Sequence, residues 1–326
     1  MPVPLHTHSW YSHLEGVSSP QALLERAAAC GYTALALTDT NNLYGAVAFV
    51  EQAQAYGVRP LLGACLRQHR SRCVALIGER VGYRSLCRVL SRLHLNTGAA
   101  PRLADLLAEN SDGLHVLADD AVLAERLREA FGPRLWLEVV RPARSARQEQ
   151  ELLAAGRRLG LRPVAGTAAH FATPEEYPAF RLVTAVRQLT LLDRLPGRLP
   201  LTPEHHLVDP DALGRRFRDL PEAVQNTEAL AEQLRSDVLP RDVILPPPHV
   251  PRGLGAAGYL RLLCERGLRR REVGSDLAAR QRLREELAVI EAGDLAGYFL
   301  VVRDIARHAR RQGYGMALRG SAGNSL

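Results

Sequence analysis

Lysine is missing from this sequence: all 42 basic side chains are arginine. Cysteine is sparse. The five residues Cys30, Cys65, Cys73, Cys87 and Cys264 are odd in number and contain no CxxC pair. That excludes a small secreted scaffold stapled by disulfides and suits a reducing compartment. No apolar run reaches 18 residues, and no basic stretch followed by an apolar one opens the chain. A secretory leader, a membrane span and a membrane partner are therefore not expected, and the cytoplasm is the expected location. No GK[ST] follows a glycine-rich stretch, so a Walker-type nucleotide site is absent. Aromatic residues are only 5% of the chain, yet 46% is apolar and 24% charged. That balance supports a sizeable core and argues against global disorder.

At 326 residues the chain has room for about two domains of roughly 150 residues, although an α/β barrel alone takes about 200 or more. The net charge of +7 is unevenly spread: from residue 251 onward 14 Arg face 8 Asp and Glu, and the first 250 residues are close to neutral. Arginine presents a planar fork suited to phosphate, and a local excess attracts polyanions. A solvated face in a chain that uses arginine for lysine explains the same excess. Composition does not separate the two.

Short apolar runs at 3–5, 34–37, 58–62, 74–77, 114–117, 135–140 and 163–165 have strand length. Helical patterns lie between them. Ser18-Ser19-Pro20 offers a cap and a first-turn proline ahead of Leu23, Leu24, Ala27 and Ala28 at helical spacing. Further helices are expected at 46–56, 83–95, near 120–130 and at 145–159. Continuous apolar strands with helix-sized crossovers predict a parallel α/β layer structure, closed barrel or open sheet. Residues 236–255, with Pro240, Pro246-Pro247-Pro248 and Pro251, break the pattern and read as a linker. Helical patterns follow at 256–271, 277–292 and 298–311. The chain stops in a Gly/Ser-rich turn after a strand-like stretch, which reads as a truncated domain.

The first chemical constellation follows from strand ends. His6 and His8 lie at i and i+2, on one side of an extended segment, with Glu15 shortly after. Asp39 follows the second apolar run, Cys65 the third, and His170 the last. α/β proteins place their sites at such C-terminal strand ends. Imidazole, carboxylate and thiolate suit zinc, manganese or iron, and a metal hydroxide attacking a phosphoester is the corresponding chemistry. An HxH pair among 11 histidines also arises by chance, so spacing leaves a turn or surface role open. His13, His69, His94 and His115 read as ordinary packing or surface residues.

Leu5-His6-Thr7-His8-Ser9-Trp10-Tyr11-Ser12-His13-Leu14-Glu15-Gly16 resembles the opening motif of the polymerase-and-histidinol-phosphatase (PHP) domain. Ala36-Leu37-Thr38-Asp39-Thr40-Asn41-Asn42-Leu43-Tyr44-Gly45 is similar to its second motif, and Pro60-Leu61-Leu62-Gly63-Ala64-Cys65 to its third. The version most similar opens the alpha subunit of bacterial DNA polymerase III. The resemblance implies a distorted (β/α)7 barrel whose ligands here are His6, His8, Glu15, Asp39, Cys65 and His170, holding residual Zn or Mn. Three positions depart from the family pattern: Thr40 stands for a histidine, Cys65 for a glutamate and Ala168 for an aspartate. The lost ligands imply a degenerate, mainly structural PHP domain.

The second constellation is basic. Arg261, Arg266, Arg269, Arg270 and Arg271 crowd one helical pattern. Arg303, Arg307 and Arg310 share one face of another, whose apolar side is Tyr298, Phe299, Val302, Ile305 and Ala309. Such a face meets a nucleic-acid backbone or simply water. Gly297-Tyr298-Phe299-Leu300-Val301-Val302-Arg303-Asp304-Ile305 and Arg319-Gly320-Ser321-Ala322-Gly323-Asn324-Ser325 resemble the start of the polymerase III alpha palm. There the Gly-Ser turn helps hold the incoming triphosphate, which implies Arg319, Gly320 and Ser321 as nucleotide-phosphate contacts. Leu318 departs from the family's glycine. Asn324-Ser325 is more similar to the error-prone branch, whereas keeping both His6 and His8 is less typical of it.

The expected fold class is α/β. A PHP domain at 1–200 is followed by a connecting segment and Pro-rich linker at 201–255 and the truncated start of a palm at 256–326. The expected function is template-directed DNA synthesis in an intact parent, with Mg, DNA and deoxynucleoside triphosphates, and with other polymerase or mutagenesis subunits as partners. This stretch alone is expected to be inactive, because the palm carboxylates are not among its residues. Two alternatives stay open: a free-standing PHP phosphoesterase, and a non-catalytic scaffold that binds nucleic acid or a polymerase partner through its arginines.

Overall fold

Helix α1 (Pro20–Ala29) begins where the sequence places it. The Ser19 hydroxyl accepts the Ala22 N–H at 3.0 Å, and Pro20 occupies the first turn. The computed structural model describes residues 1–69, 71–95, 101–142, 145–197, 199–240, 245–271 and 276–317. It divides into two compact units, Met1–Leu239 and the chain from Pro240. After α1 come β1 (Ala34–Leu37), α2 (Ala46–Ala53), β2 (Arg59–Gln68), β3 (Ser71–Ile77), α3 (Arg80–His94), α4 (Leu103–Glu109) and β4 (Leu114–Ala118). The series continues with α5 (Ala121–Phe131), β5 (Leu135–Val140), α6 (Ala146–Leu159) and β6 (Arg162–Gly166).

The six strands form one sheet in sequence order. β1–β2, β4–β5 and β5–β6 are parallel, but β3 runs antiparallel to both β2 and β4. The sheet is therefore mixed, not all parallel as the sequence predicts. Only residues 69 and 70 separate β2 from β3, too few for a helical crossover, so the chain turns straight back. Cys65, expected beyond its strand, sits inside β2, which runs on through polar Arg67 and Gln68.

Residues 3–5 do not form the expected strand. Pro2 and Pro4 have no N–H to give to a ladder. The stretch instead makes scattered bonds to both sides: Ala36 N–H to Pro4 O (2.9 Å), Thr38 N–H to Thr7 O (2.8 Å) and Ala169 N–H to His6 O (3.1 Å). It ties β1 to the chain that follows β6 and curls the sheet into a half-barrel.

Both faces of the sheet are buried. Leu35, Leu37, Leu62, Leu66, Ala75 and Val116 pack outward with helix residues such as Leu24, Phe49, Leu86 and Leu127. The alternate residues Ala34, Ala36, Leu61, Val74, Leu117, Trp136 and Val164 pack inward.

Three more helices complete this unit: α7 (Tyr177–Arg187), α8 (Pro210–Arg216) and α9 (Pro221–Ala231). Leu230, Ala231 and Leu234 join the inner cluster around Trp136. Leu213, Phe217 and Ala223 pack with Val139 and Ala165. Residues 201–239, set apart on sequence as a connecting segment, are thus built into the first unit, and the division at Leu239 falls inside the proline-rich stretch.

The second unit contains α10 (Ala256–Arg270), α11 (Leu277–Ala292) and α12 (Ala296–Arg311) around Leu260, Leu268, Leu283, Leu287, Ala296 and Leu300. In α12 the buried edge is Ala296 and Leu300, with Phe299 packed against it. Tyr298, Val302 and Ile305, expected on the apolar side, stay 50%, 41% and 64% exposed. Among the described residues no helix is long and apolar enough to cross a membrane.

Candidate functional site

The inner face of the sheet changes character along its strands. Trp136 and Glu138 share that face in β5, as do Leu61 and Cys65 in β2 and Val74 and Arg72 in β3; Leu117 of β4 is followed two residues on by Asp119. Because i and i+2 point the same way, one register sets both the apolar floor and the ionisable layer above it. The parallel strands bring their C-terminal ends to this level, and antiparallel β3 brings its beginning. The tie segment adds His6 and His8.

His6 is buried, with Nδ1 2.7 Å from Glu138 Oε1 and Nε2 2.9 Å from His8 Nε2. The donor atoms of His6, His8 and Cys65 all lie within 4.8 Å of one another. His8 Nδ1 is 3.0 Å from the Ser12 hydroxyl, which donates to Asp39 at 2.7 Å. Asp39 also accepts the Ser9 N–H at 2.7 Å and the Ser9 hydroxyl at 2.8 Å. Hydrogen bonds therefore run without a break from Glu138 through His6, His8 and Ser12 to Asp39.

The direction of these bonds agrees with the electrostatics. Burial opposes charge on His6, but the Glu138 carboxylate overrides it and raises the imidazole to about 10. His6 then donates from both nitrogens. Burial, with His170 and His6 adding to it, holds His8 well below the ordinary histidine range. Neutral His8 accepts at Nε2 and donates from Nδ1 to Ser12. Burial likewise lowers His170, whose ring stacks on His8 with centroids 4.0 Å apart and whose Nδ1 lies 2.6 Å from Ala168 O. Asp39 is raised by burial in spite of the Ser12 and Ser9 bonds.

Two glycines shape this layer. A Cβ at Gly166 would stand 2.6 Å from Glu138 Oε1, and one at Gly16 would stand 1.9 Å from Ser9 O. The first leaves room for the carboxylate; the second lets the loop that follows His8 close on itself.

Above the histidines the carboxylates are committed to arginine. Glu15 Oε1 accepts from Arg67 at 2.6 Å and from Arg187 at 3.3 Å, and its Oε2 accepts the Thr40 hydroxyl at 2.9 Å. Asp119 pairs with Arg72. Of the sequence candidates, the fold brings His6, His8 and Cys65 into one cluster and stacks His170 beside it. Asp39 and Glu15 lie close by with their oxygens already taken. Arg319, Gly320 and Ser321 lie outside the described residues.

Residues 4–139 match the PHP domain, and residues 258–326 match the bacterial DNA polymerase III alpha NTPase domain. The chain thus resembles PHP-bearing bacterial DNA polymerase III alpha subunits over these two stretches, in that order. It is 35% identical over 99% of its length to an error-prone DNA polymerase of Symbiobacterium thermophilum, covering 33% of that protein. It is 34% identical over 98% of its length to one of Cutibacterium acnes, covering 31%. The chain thus spans about a third of these relatives' length. Among solved structures, an amidohydrolase from Chromobacterium violaceum aligns at 17% identity with a TM-score of 0.35, over 52% of this chain and 88% of that one.

Within the PHP half, sequence reasoning missed Glu138 and the Arg72–Asp119 and Arg67–Glu15 pairs. A signal for Glu138 was present. It is the one ionisable residue in Leu135-Trp136-Leu137-Glu138-Val139-Val140, and a carboxylate inside a buried strand requires a partner.

The donors present fit a single cation. His6, His8 and Cys65 are close together, and the buried Glu138 Oε2 has no hydrogen-bond partner. Two imidazoles with a thiolate suit a borderline-soft ion, and Glu138, bonded to Nδ1 of His6, orients that ring from behind. Among the described residues no second such group occurs; Asp39 is held by two serines and Glu15 by two arginines, and Thr40 and Ala168 supply no ligand.

Proposed function

We propose that this chain works as part of an error-prone-type DNA polymerase III alpha subunit, in which its PHP barrel is a scaffold around a one-cation centre. The observation that carries this reading is identity of 35% sustained over 99% of the chain, with the PHP and polymerase III alpha matches in that order along it. In the whole protein, deoxynucleoside triphosphates are joined on a DNA template with Mg²⁺ held by carboxylates outside this sequence. Arg319, Gly320 and Ser321 contact the incoming triphosphate, and other polymerase subunits are partners. The purified 326-residue chain is expected not to extend a primer; templated incorporation by it would overturn that assignment.

In the barrel, His6, His8 and Cys65 hold the cation, with Glu138 beside them. Zinc fits this donor set better than manganese, because a thiolate prefers the softer ion. A bound zinc lowers the pKa of a water ligand and so supplies a hydroxide nucleophile. The chain's own contribution is to place the donors and to hold His6 by its Glu138 bond. Loading must displace the proton that His6 shares with His8, so occupancy falls as the pH is lowered. Elemental analysis of protein purified without chelator should find about one zinc, lost in His8→Ala. Two or more equivalents, or retention in that variant, would defeat the one-cation reading. A free-standing phosphoesterase is the weaker reading, because Asp39 and Glu15 are engaged elsewhere.

A further inference from the structure

The arginines of the second unit are not spread over a uniform surface. Helices α10 and α11 leave between them a groove of about 720 Å³, within the ~300–1,000 Å³ of ligand pockets. Its floor is leucine. Leu268, Leu283 and Leu287 are 7%, 7% and 8% exposed where they meet the small core, and Leu277 stands at the edge 81% exposed. Among the described residues its walls carry Arg261, Arg269, Arg280 and Arg284 with one acid, Glu265. Arg261 reaches Glu291 at 3.1 Å and Arg284 reaches Gln281 at 2.7 Å. Each of these contacts uses one nitrogen of a guanidinium that carries five N–H donors.

We infer that this groove receives an acidic amphipathic helix of a partner protein. Charge complementarity gives the sign: among the described lining residues arginines outnumber acids even with Arg261 paired to Glu291, which favours a ligand with excess carboxylate. The floor fixes the class. A leucine-lined channel between basic walls matches a helix that carries apolar anchors at i, i+3, i+4 and i+7 and acids on its flanks. A nucleic-acid strand would leave the leucines without a fitting surface, since bases favour aromatic platforms. Half of the excess after residue 250 thereby acquires a place in the fold: α10, with four Arg and one Glu, sets it along one wall of an apolar channel. The inference does not depend on the polymerase reading or on the barrel's cation.

The test uses the full chain and three fluorescein-labelled probes. One is an amphipathic peptide with leucine at the anchor positions and glutamate elsewhere, one is the same composition scrambled, and one is a single-stranded DNA oligonucleotide. The ordered peptide should bind saturably and at least ~10-fold more tightly than the scrambled one. Leu277→Glu and Arg284→Glu should each weaken it by about 10-fold or more. Both positions are exposed, and circular dichroism verifies that the variants keep their helices. Arg307→Glu, on α12 outside the groove, should leave binding unchanged. Equal affinity for both peptides, indifference to Leu277→Glu, or displacement of the ordered peptide by the oligonucleotide at equal concentration would overturn the proposal. Loss of polymerase function in the parent protein would not bear on any of these measurements.

Discussion

The two units treat charge in opposite ways. In Met1–Leu239 the charges that matter are buried in pairs or chains: His6 with Glu138, Asp119 with Arg72, and Asp39 under Ser9 and Ser12. From Pro240 onward, arginines and acids face solvent on three helices around six well-buried side chains. A curled sheet covered on both sides has an interior into which alternate strand residues must point, whatever their chemistry. Three packed helices have only a seam. Low-dielectric placement makes the first unit's electrostatics strong and interdependent, whereas water screens the second unit's.

Removing one partner from a buried pair should break this contrast most sharply. Glu138→Ala leaves the His6 imidazole buried without its carboxylate and should cost roughly 3–5 kcal/mol. Arg261→Ala, which loses an exposed pair with Glu291, should cost about 0–1 kcal/mol. Both tryptophans, Trp10 and Trp136, lie in the first unit, so tryptophan fluorescence in urea follows the barrel and far-ultraviolet circular dichroism follows both units. Equal effects of the two substitutions would contradict the contrast.

Acid is the next lever. Burial first, then Arg134 and Arg162, lowers His115 to about 4, and burial also lowers His8, His170 and His205. For such groups the unfolded chain binds more protons between pH ~6.5 and ~4, so stability falls as the pH drops through that window. For His115 alone the loss is on the order of 3 kcal/mol at pH 4. His6 has the opposite sign: its contribution is complete below about 6.5 and fades as the pH rises toward about 10. Urea midpoints of the tryptophan signal at pH 7 and pH 4.5 measure the effect, and His115→Gln should flatten the slope.

Gly166→Ala probes the space around the chain of bonds. Its Cβ would crowd Glu138 Oε1, and overpacking of this kind costs roughly 1–3 kcal/mol. Zinc content should drop with stability; a fully stable variant would show that the carboxylate has room to move. The smallest effect belongs to the helical unit. Asp276→Ala removes the side-chain acceptor of the Ala278 N–H and should cost about 1 kcal/mol, visible in circular dichroism while the tryptophan transition stays in place.

Sequence patterns reached much of the fold. Ser19 and Pro20 announce α1, the proline-rich stretch contains the boundary at Leu239, and the helices at 256–271 and 277–292 fall within a residue of α10 and α11. They failed where polar residues continue an apolar element. Arg67, Gln68 and Arg72 concealed the β2–β3 hairpin, because local hydrophobicity ends before the pairing does. They also failed at Val3 and Leu5, where the residues are apolar but the neighbouring prolines prevent a regular ladder.

The candidate site divides along the same line. Motif spacing singled out His6, His8 and Cys65 by residue type and interval. Spacing also proposed Asp39 and Glu15, and no reading of intervals shows that Ser9, Ser12, Arg67 and Arg187 occupy their oxygens. Those partners come from positions up to 172 residues apart, and only the curled sheet sets their distances.

The sequence by itself determined the absence of lysine, the concentration of arginine after residue 250, the alternation of strands and helices, and the identities of the potential ligands. Tertiary structure alone decided which carboxylates remain open to a cation and which arginines surround an apolar channel. The reason is physical. Residue type and period act over a few residues, whereas burial, pairing and vacancy depend on what the rest of the chain brings to the same few ångströms.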